Sequence, residues 1–190
     1  MGGAVLTSLL RAEDEAPDPT VDAEAFRALY QREFDFVWNV VRRLGVAERD
    51  LPDVVHDVFV VVYRRFSTYD PSRPLRPWLF GIAFRAQASH RRRLREAGRA
   101  DREPDTLQGD APAPDERMIE RERRALVHTI LQGLSPEHRA VLVGHELEGL
   151  PMAALSEALD VPVKTLYSRL RAAREEFVAA MRRHALRGAR

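Results

Sequence analysis

Apolar residues recur at three- and four-residue steps from Phe26 through Leu29, Tyr30, Phe34, Val37, Val40, Val41 and Leu44, which places them on one face of a helix that Gly45 can end. A second apolar series, Val54, Val55, Val58, Phe59, Val61, Val62 and Phe66, follows Asp50, which offers an N-cap, with Pro52 tolerated in the first turn and Asp53 near the positive helix end. Its β-branched run would suit a strand, but its length, its cap and the polar interruptions His56, Asp57 and Arg64 favour a helix. Residues 67–77 contain Asp70, three prolines and no apolar period, and so form a loop. Trp78 opens a further helical pattern through Ile82 and Ala83 that runs into His90-Arg91-Arg92-Arg93.

Beyond Glu96 the chain turns Gly-, Pro- and Asp-rich, as expected of a solvated linker, and a second helical region begins near Met118. There Leu126, Ile130 and Leu134 make one stripe, and Ser135-Pro136-Glu137 is a helix start with a capping Ser and Pro at the first position. A short helix from Met152 to Leu159 is broken by Asp160-Val161-Pro162, and Val163 begins a long final helix. The expected class is all-α: two small helical domains, residues 23–98 and 118–182, joined by a flexible acidic linker over 99–117. Residues 1–22 read as a disordered tail and 183–190 as a basic C-terminal tail. No internal repeat is present.

Composition narrows the chemistry. With no cysteine, disulfides, thiol nucleophiles and thiolate metal sites are excluded. No run approaches a membrane span and Met1 to Leu10 lacks the features of a signal peptide, so no membrane insertion is expected and the expected location is cytoplasmic. The net charge of +1 hides segregation. Residues 1–25 carry six acids against Arg11, and 101–116 six acids against Arg102. Residues 84–99 hold six arginines and one acid, and 163–190 eight basic residues and two acids. Basic blocks of this kind attract polyanions locally even in a nearly neutral molecule. Among the 30 basic residues only Lys164 is a lysine, a bias that codon composition explains, so arginine abundance by itself is not evidence of phosphate contacts.

The stretch Pro151 to Leu170 has the pattern of a helix-turn-helix, whose second helix enters the major groove. On that helix Val163, Leu166, Leu170, Ala173 and Phe177 form an inward face. Lys164, Tyr167, Ser168, Arg171 and Arg174 form an outward stripe flanked by Thr165 and Arg169, and these are donors suited to base edges and phosphates. A solvated face on an ordinary three-helix bundle is the plainer reading of the same stripe.

Between Tyr63 and Arg95 the aromatics Tyr63, Phe66, Tyr69, Trp78, Phe80 and Phe84 precede Arg85, Arg91, Arg92, Arg93 and Arg95. Aromatic faces beside basic groups hold single-stranded nucleic acid by stacking and charge neutralisation. Arg85, Ser89 and Arg92 share a helical face, while Phe66, Phe80 and Phe84 equally suit a core. Asp53, His56 and Asp57 project from one side of their helix, a spacing that could hold a metal. A di-iron carboxylate bundle needs a second Glu-x-x-His copy that the chain lacks, so the edge is better read as a partner surface or a solvated face. His138, His145 and Glu146 meet the same objection, and no cofactor is expected.

In this order and spacing, Asp53 to Phe59, Trp78 to Ala83, the Arg run, Leu134 to Arg139 and Val161 to Glu175 resemble a bacterial sigma factor of the extracytoplasmic-function type. The resemblance covers residues 23–98 and 118–180. It implies that the first half is sigma region two, with Asp53, His56, Asp57 and Phe59 docking on the clamp helices of the RNA polymerase beta-prime subunit. Tyr69, Arg73, Arg76 and Trp78 would cradle a flipped base of the minus-ten element, and Arg85, Ser89 and Arg92 would grip that element. The second half would be region four, reading minus-thirty-five duplex through Lys164, Thr165, Tyr167, Ser168, Arg169, Arg171 and Arg174 and meeting the polymerase beta flap through an apolar surface. An anti-sigma factor is implied as a further partner.

The chain departs from the family pattern with Arg85 and Ser89 where Asn and Asp are frequent, with Pro151, Ala154 and Asp160 for Ser, Glu and Gly, and with Lys164 and Tyr167 for Gly and Lys. The promoter sequence therefore does not carry over. The function expected is a non-catalytic transcription initiation factor that binds core RNA polymerase and promoter DNA and assists strand opening. An autonomous helix-turn-helix regulator is the rival, and a metal-dependent bundle enzyme a more distant one.

Overall fold

A computed structural model of the chain describes residues 22–98 and 115–188; of the tail expected over 1–22 and the linker expected over 99–117, residues 1–21 and 99–114 lie outside the described residues, while residues 115–117, expected as linker, are helical. Helix α1, Ala23–Arg43, starts at Asp22, whose carboxylate accepts from the backbone N–H groups of Glu24 and Ala25 at 2.9 and 3.2 Å. It ends where Gly45 takes φ +102°, a backbone conformation that side chains disfavour.

A 3₁₀ turn, Glu48–Asp50, leads directly into α2, Leu51–Arg64. Asp50 therefore already has near-helical dihedrals, φ −99° and ψ −8°, and does not cap through its side chain as the sequence suggests. Its carboxylate lies 3.7 Å from Arg49 and 3.4 Å from His90 instead. Helix α3 spans Leu75–Glu96 and starts three residues before Trp78. Pro74 is extended at the N-cap and Pro77 falls in the first turn, where its missing N–H would have had no partner anyway, so the prolines that suggested a loop open the helix.

The second half contains α4, Asp115–Gln132; α5, Pro136–Leu142; a π-helical turn, Val143–Leu147; α6, Met152–Leu159; and α7, Val163–Gly188. Ser135 caps α5 as expected, its hydroxyl accepting from His138 N–H at 3.2 Å. Residues 183–188, expected as a tail, continue α7. Asp160 ends α6 in the left-handed region, φ 54° and ψ 47°, which Asp tolerates better than most residues.

The two halves share a hydrophobic core. Val37, Val40, Val58 and Leu79 from the first half and Val141, Leu155, Leu166 and Ala173 from the second belong to one buried cluster. Phe80 is fully buried at the seam, and a Cβ at Gly144 would lie 3.0 Å from its ring and 2.8 Å from Leu155, so the absence of a side chain at 144 lets the ring seat there. Burying a side chain of this size contributes about 1.5–3 kcal/mol.

Polar groups reinforce the seam. Arg139, 7% exposed, donates to the carbonyls of Leu131, Gln132 and Leu134 at 2.7, 2.7 and 3.2 Å, to the Gln132 side chain at 3.0 Å, and across the seam to the Leu44 carbonyl at 2.8 Å. Burial, with a smaller contribution from Arg91, pulls its pKa down to about 10, which leaves it charged at neutral pH. Arg43 also pairs with Glu148 across the seam.

Candidate nucleic-acid interface

On α2, Asp53 and His56 are exposed and Asp57 is half-buried. Asp57 accepts from Arg93 of the α3 arginine run at 2.8 Å, so this acidic edge partly neutralises the neighbouring basic block. Phe59 does not belong to the edge: at 4% exposure it packs in the core against Tyr30 and Phe34, with ring centroids 4.5 and 6.2 Å away. Its place in the apolar period of α2 turns it inward, and the surface expected to include it consists of the three polar residues. No group of three metal-ligating side chains occurs among the described residues; His138 pairs with Glu176, and His145 with the Leu150 carbonyl.

The segment before α3 is shaped by short-range bonds. Asp70 accepts from Ser72 N–H at 2.9 Å and from its hydroxyl at 2.7 Å, which holds the carboxyl below its ordinary pKa. Tyr69 donates to the Arg73 carbonyl at 2.6 Å and lies 4.9 Å from Trp78, centroid to centroid. Partial burial and the Asp70 charge push the Tyr69 phenol pKa up, so it remains a donor. The two rings thus form a half-buried aromatic corner at the start of α3. Phe80 is wholly core, whereas Phe66 and Phe84 are partly buried against it.

The expected basic contacts divide into three situations. Arg76 is committed within the protein: it reaches buried Glu33 at 3.0 Å and stands 5.0 Å over the Phe36 ring, tying α3 to α1. Arg73 and Arg85 face the second half, where Arg73 meets Glu157 at 3.1 Å and Arg85 donates to the Ala158 carbonyl at 2.7 Å. Burial, then the Arg65 charge, lower the Arg85 pKa from its ordinary value. Arg92 is exposed, 3.9 Å from Glu96, and Ser89 is half-buried. The shared helical period of Arg85, Ser89 and Arg92 therefore does not give a shared accessibility.

The turn over Asp160 to Pro162 presents α7 as the sequence suggests, with Leu166, Leu170 and Ala173 buried and Phe177 partly so. Val163, expected on the inward face, is 38% exposed because it is the first residue of the helix and precedes the packed turns. Lys164, Tyr167, Ser168, Arg171 and Arg174 are exposed, and Thr165 and Arg169 flank them half-buried. Ser168 donates to the Thr165 carbonyl at 2.9 Å, Arg171 pairs with Glu175 at 3.2 Å, and Arg174 pairs with Glu146 of the π-turn. Between α4, the π-turn and α7 an apolar groove of about 210 Å³ is lined by Val127, Leu131, Leu142, Leu147, Phe177 and Val178 with Glu146 and Arg174 at its rim.

Sequence reasoning gave no role to Arg139, Glu33 or Gly81. Gly81 interrupts an apolar helical stretch, which was an available signal; Arg139 follows Glu137 and His138 ahead of an apolar run, so its position carried none.

Comparison with known proteins agrees with this geometry. Residues 29–97 match the family model for sigma-70 region 2, and residues 124–177 that for sigma-70 region 4. The RNA polymerase sigma factor NccH of Alcaligenes xylosoxydans xylosoxydans is 28% identical over 165 residues, covering 84% of this chain and 88% of that protein. The ECF RNA polymerase sigma-E factor of Haemophilus influenzae is 28% identical over 166 residues, 81% of this chain and 86% of that one. The structure of CnrH in complex with the cytosolic domain of CnrY superposes with a TM-score of 0.63 at 25% identity, covering 91% of this chain and 94% of that chain.

Proposed function

The chain belongs to the sigma-70 family, as a sigma factor of the extracytoplasmic-function type, and we propose that its two halves divide promoter recognition between melted and duplex DNA. A sigma factor directs promoter-specific initiation with RNA polymerase and is not itself an enzyme. In this reading the exposed edge Asp53, His56 and Asp57 of α2 meets the beta-prime clamp helices. The Tyr69 and Trp78 corner stacks unpaired minus-ten bases, with Arg73 just before α3 and Arg85, Ser89 and Arg92 along it supplying donors. Helix α7 enters the minus-thirty-five major groove through Lys164, Tyr167, Ser168, Arg171 and Arg174, with Thr165 and Arg169 at its margins. The apolar groove beside α4 receives the polymerase beta flap. The division is physically sensible, since unpaired bases can be captured in stacking pockets whereas an intact duplex must be read in a groove.

Two segments bound the reading. Residues 99–114 join the halves, which residues 23–98 and 115–188 carry. An anti-sigma factor is a partner by analogy with CnrH, whose structure contains the cytosolic domain of CnrY. Acting on DNA and polymerase places the protein in the cytoplasm, and no helix among the described residues is long and apolar enough to cross a membrane.

The observation that carries the reading is the exposed polar and basic stripe of α7 set behind the left-handed turn at Asp160. Promoter-selective transcription from a pool of genomic fragments, with purified core RNA polymerase and with or without this protein, tests it. Protein-dependent start sites with open-complex formation are expected. If polymerase neither binds the protein nor changes its start sites, while the protein alone retains duplex DNA, an autonomous regulator is the correct account.

A further inference from the structure

We infer that the N-terminal segment Val5 to Leu10 docks in the apolar groove beside α4, so that the chain carries its own occupant for the surface assigned above to the polymerase beta flap. The docking stands on the groove and the sequence; its regulatory consequence rests on that assignment. The groove leaves apolar side chains uncovered: Leu147 and Val178 are 41% and 46% exposed above a buried floor of Leu131 and Leu142, with Glu146 and Arg174 at the rim. Grooves of this kind take the apolar face of a short amphipathic helix. Val5, Leu6, Leu9 and Leu10 recur at one- and four-residue steps and would share one face of such a helix, with Ser8 on the opposite side. Of the segments outside the described residues this is the one with apolar anchors, since residues 99–114 offer Leu107 alone as a large apolar side chain. A segment of this length gains its order from the surface it meets.

Reach and charge agree with this occupant. The groove opens near the end of α1: Arg43, its last residue, pairs with Glu148 beside groove-lining Leu147, and Arg139 bonds the carbonyls of both Leu44 and groove-lining Leu131. From there back to Asp22 is the length of α1, 21 residues or about 31 Å at about 1.5 Å each. Residues 11–21 span about 36–40 Å when extended, enough to return along α1 to the groove. So short a tether sets an effective concentration on the order of mM, at which a segment of modest intrinsic affinity stays bound. Glu13, Asp14, Glu15 and Asp18 follow the apolar anchors. Helix α7 runs on to Gly188, past the region 4 match that ends at 177, and presents Arg182 and Arg183 exposed on the turns beyond the groove. The acidic stretch leaving the groove therefore has cations beside it, a pairing that fixes orientation more than affinity.

Because the chain has no cysteine, Ser8→Cys with Ala185→Cys creates one labelling pair in the full-length protein, its second site on an exposed turn of α7 past Val178. Nitroxide labels there should report one narrow distance below about 30 Å, since the docked segment lies within a few helical turns of residue 185. Adding Leu6→Ser with Leu9→Ser, or separately Val178→Asp, should broaden the distribution and lengthen it by more than about 10 Å while helix content is kept. A broad distribution in the parent, or a narrow one that neither change alters, would overturn the inference. A short distance that vanishes on tenfold dilution with unlabelled protein would place the segment on a second copy and overturn the contact within one chain. The chain lacking residues 2–12 should bind purified core RNA polymerase at least about threefold more tightly, because an occupied groove lowers the competent fraction. Equal affinity beside a narrow, variant-sensitive distance would support the docking and overturn its role at the flap surface. Failure of both the full and the shortened chain to bind polymerase would count against the transcription reading instead, and the distance measurement would still decide the docking.

Discussion

Arg139 shows how much one side chain can hold. Its guanidinium satisfies the carbonyls of Leu44, Gln132 and Leu134, and shares that of Leu131 with the Leu134 backbone N–H. Replacing it with methionine fills similar volume but leaves buried carbonyls unsatisfied, at about 1–3 kcal/mol for each such group, and a loss of unfolding stability is expected by urea titration. Arg139→Lys should rescue little, because an ammonium cannot reproduce the planar fork. Gly45 belongs to the same device, since a Cβ there would stand 1.9 Å from the Arg139 guanidinium. His128 supplies a pH dependence nearby. Burial and the Arg42 charge lower its pKa, outweighing the attraction of Glu48, while Arg139 adds to the lowering. As pH falls below about 6.5, the ordinary histidine value, the unfolded chain binds this proton before the folded chain does. Folded stability should therefore decline through that window and be unaffected by this group at higher pH. Histidine 128 exchanged for glutamine (H128Q) should show a smaller difference in urea stability between pH 7.5 and 5.5 than the parent protein.

At the scale of elements, α7 is where function is most directly testable. Arg171 is 83% exposed in its side chain and bound only to Glu175 one turn on, so its removal leaves the fold alone. Arg171→Ala should weaken upstream duplex binding and reduce the slope of log affinity against log salt by about one, with polymerase affinity retained; an unchanged slope would remove it from the phosphate contacts. The helix-turn-helix was legible in the sequence because its signals are local: an apolar period, a break at Asp160-Val161-Pro162 and a resumed period. The all-helical class and the Ser135 cap were legible for the same reason. The start of α3 was not, because three prolines read as loop even though two of them occupy positions that open a helix. Asp50 does not cap because a preceding 3₁₀ turn fixes its dihedrals, and Phe59 lies in the core, where its apolar period points, although its motif resembles a partner-facing one. The commitments of Arg76 to Glu33 and of Arg85 to Ala158 join residues 43 and 73 positions apart, a separation no local pattern encodes.

For the whole molecule, the shared core sets the unfolding behaviour. Both tryptophans, Trp38 and Trp78, lie in the first half, whereas circular dichroism reports the helices of both. With Phe80 and Arg139 joining the halves, the two signals should give coincident urea transitions, and a dichroism change well separated from the fluorescence change would show that the halves unfold independently. The two helical halves were legible in the sequence, but not their packing, which depends on Gly81 and Gly144 being opposite Ala158 and Phe80. Lys164, the single lysine of the chain, stands exposed on the first turn of α7. Apart from the α-amino group, an acylating reagent thus has one amine to modify, and it lies on the duplex-reading helix. Coupling the protein to a surface through its side-chain amine would hold it by that face, while the rate at which Lys164 is acylated in solution becomes a one-residue gauge of whether the face is occupied.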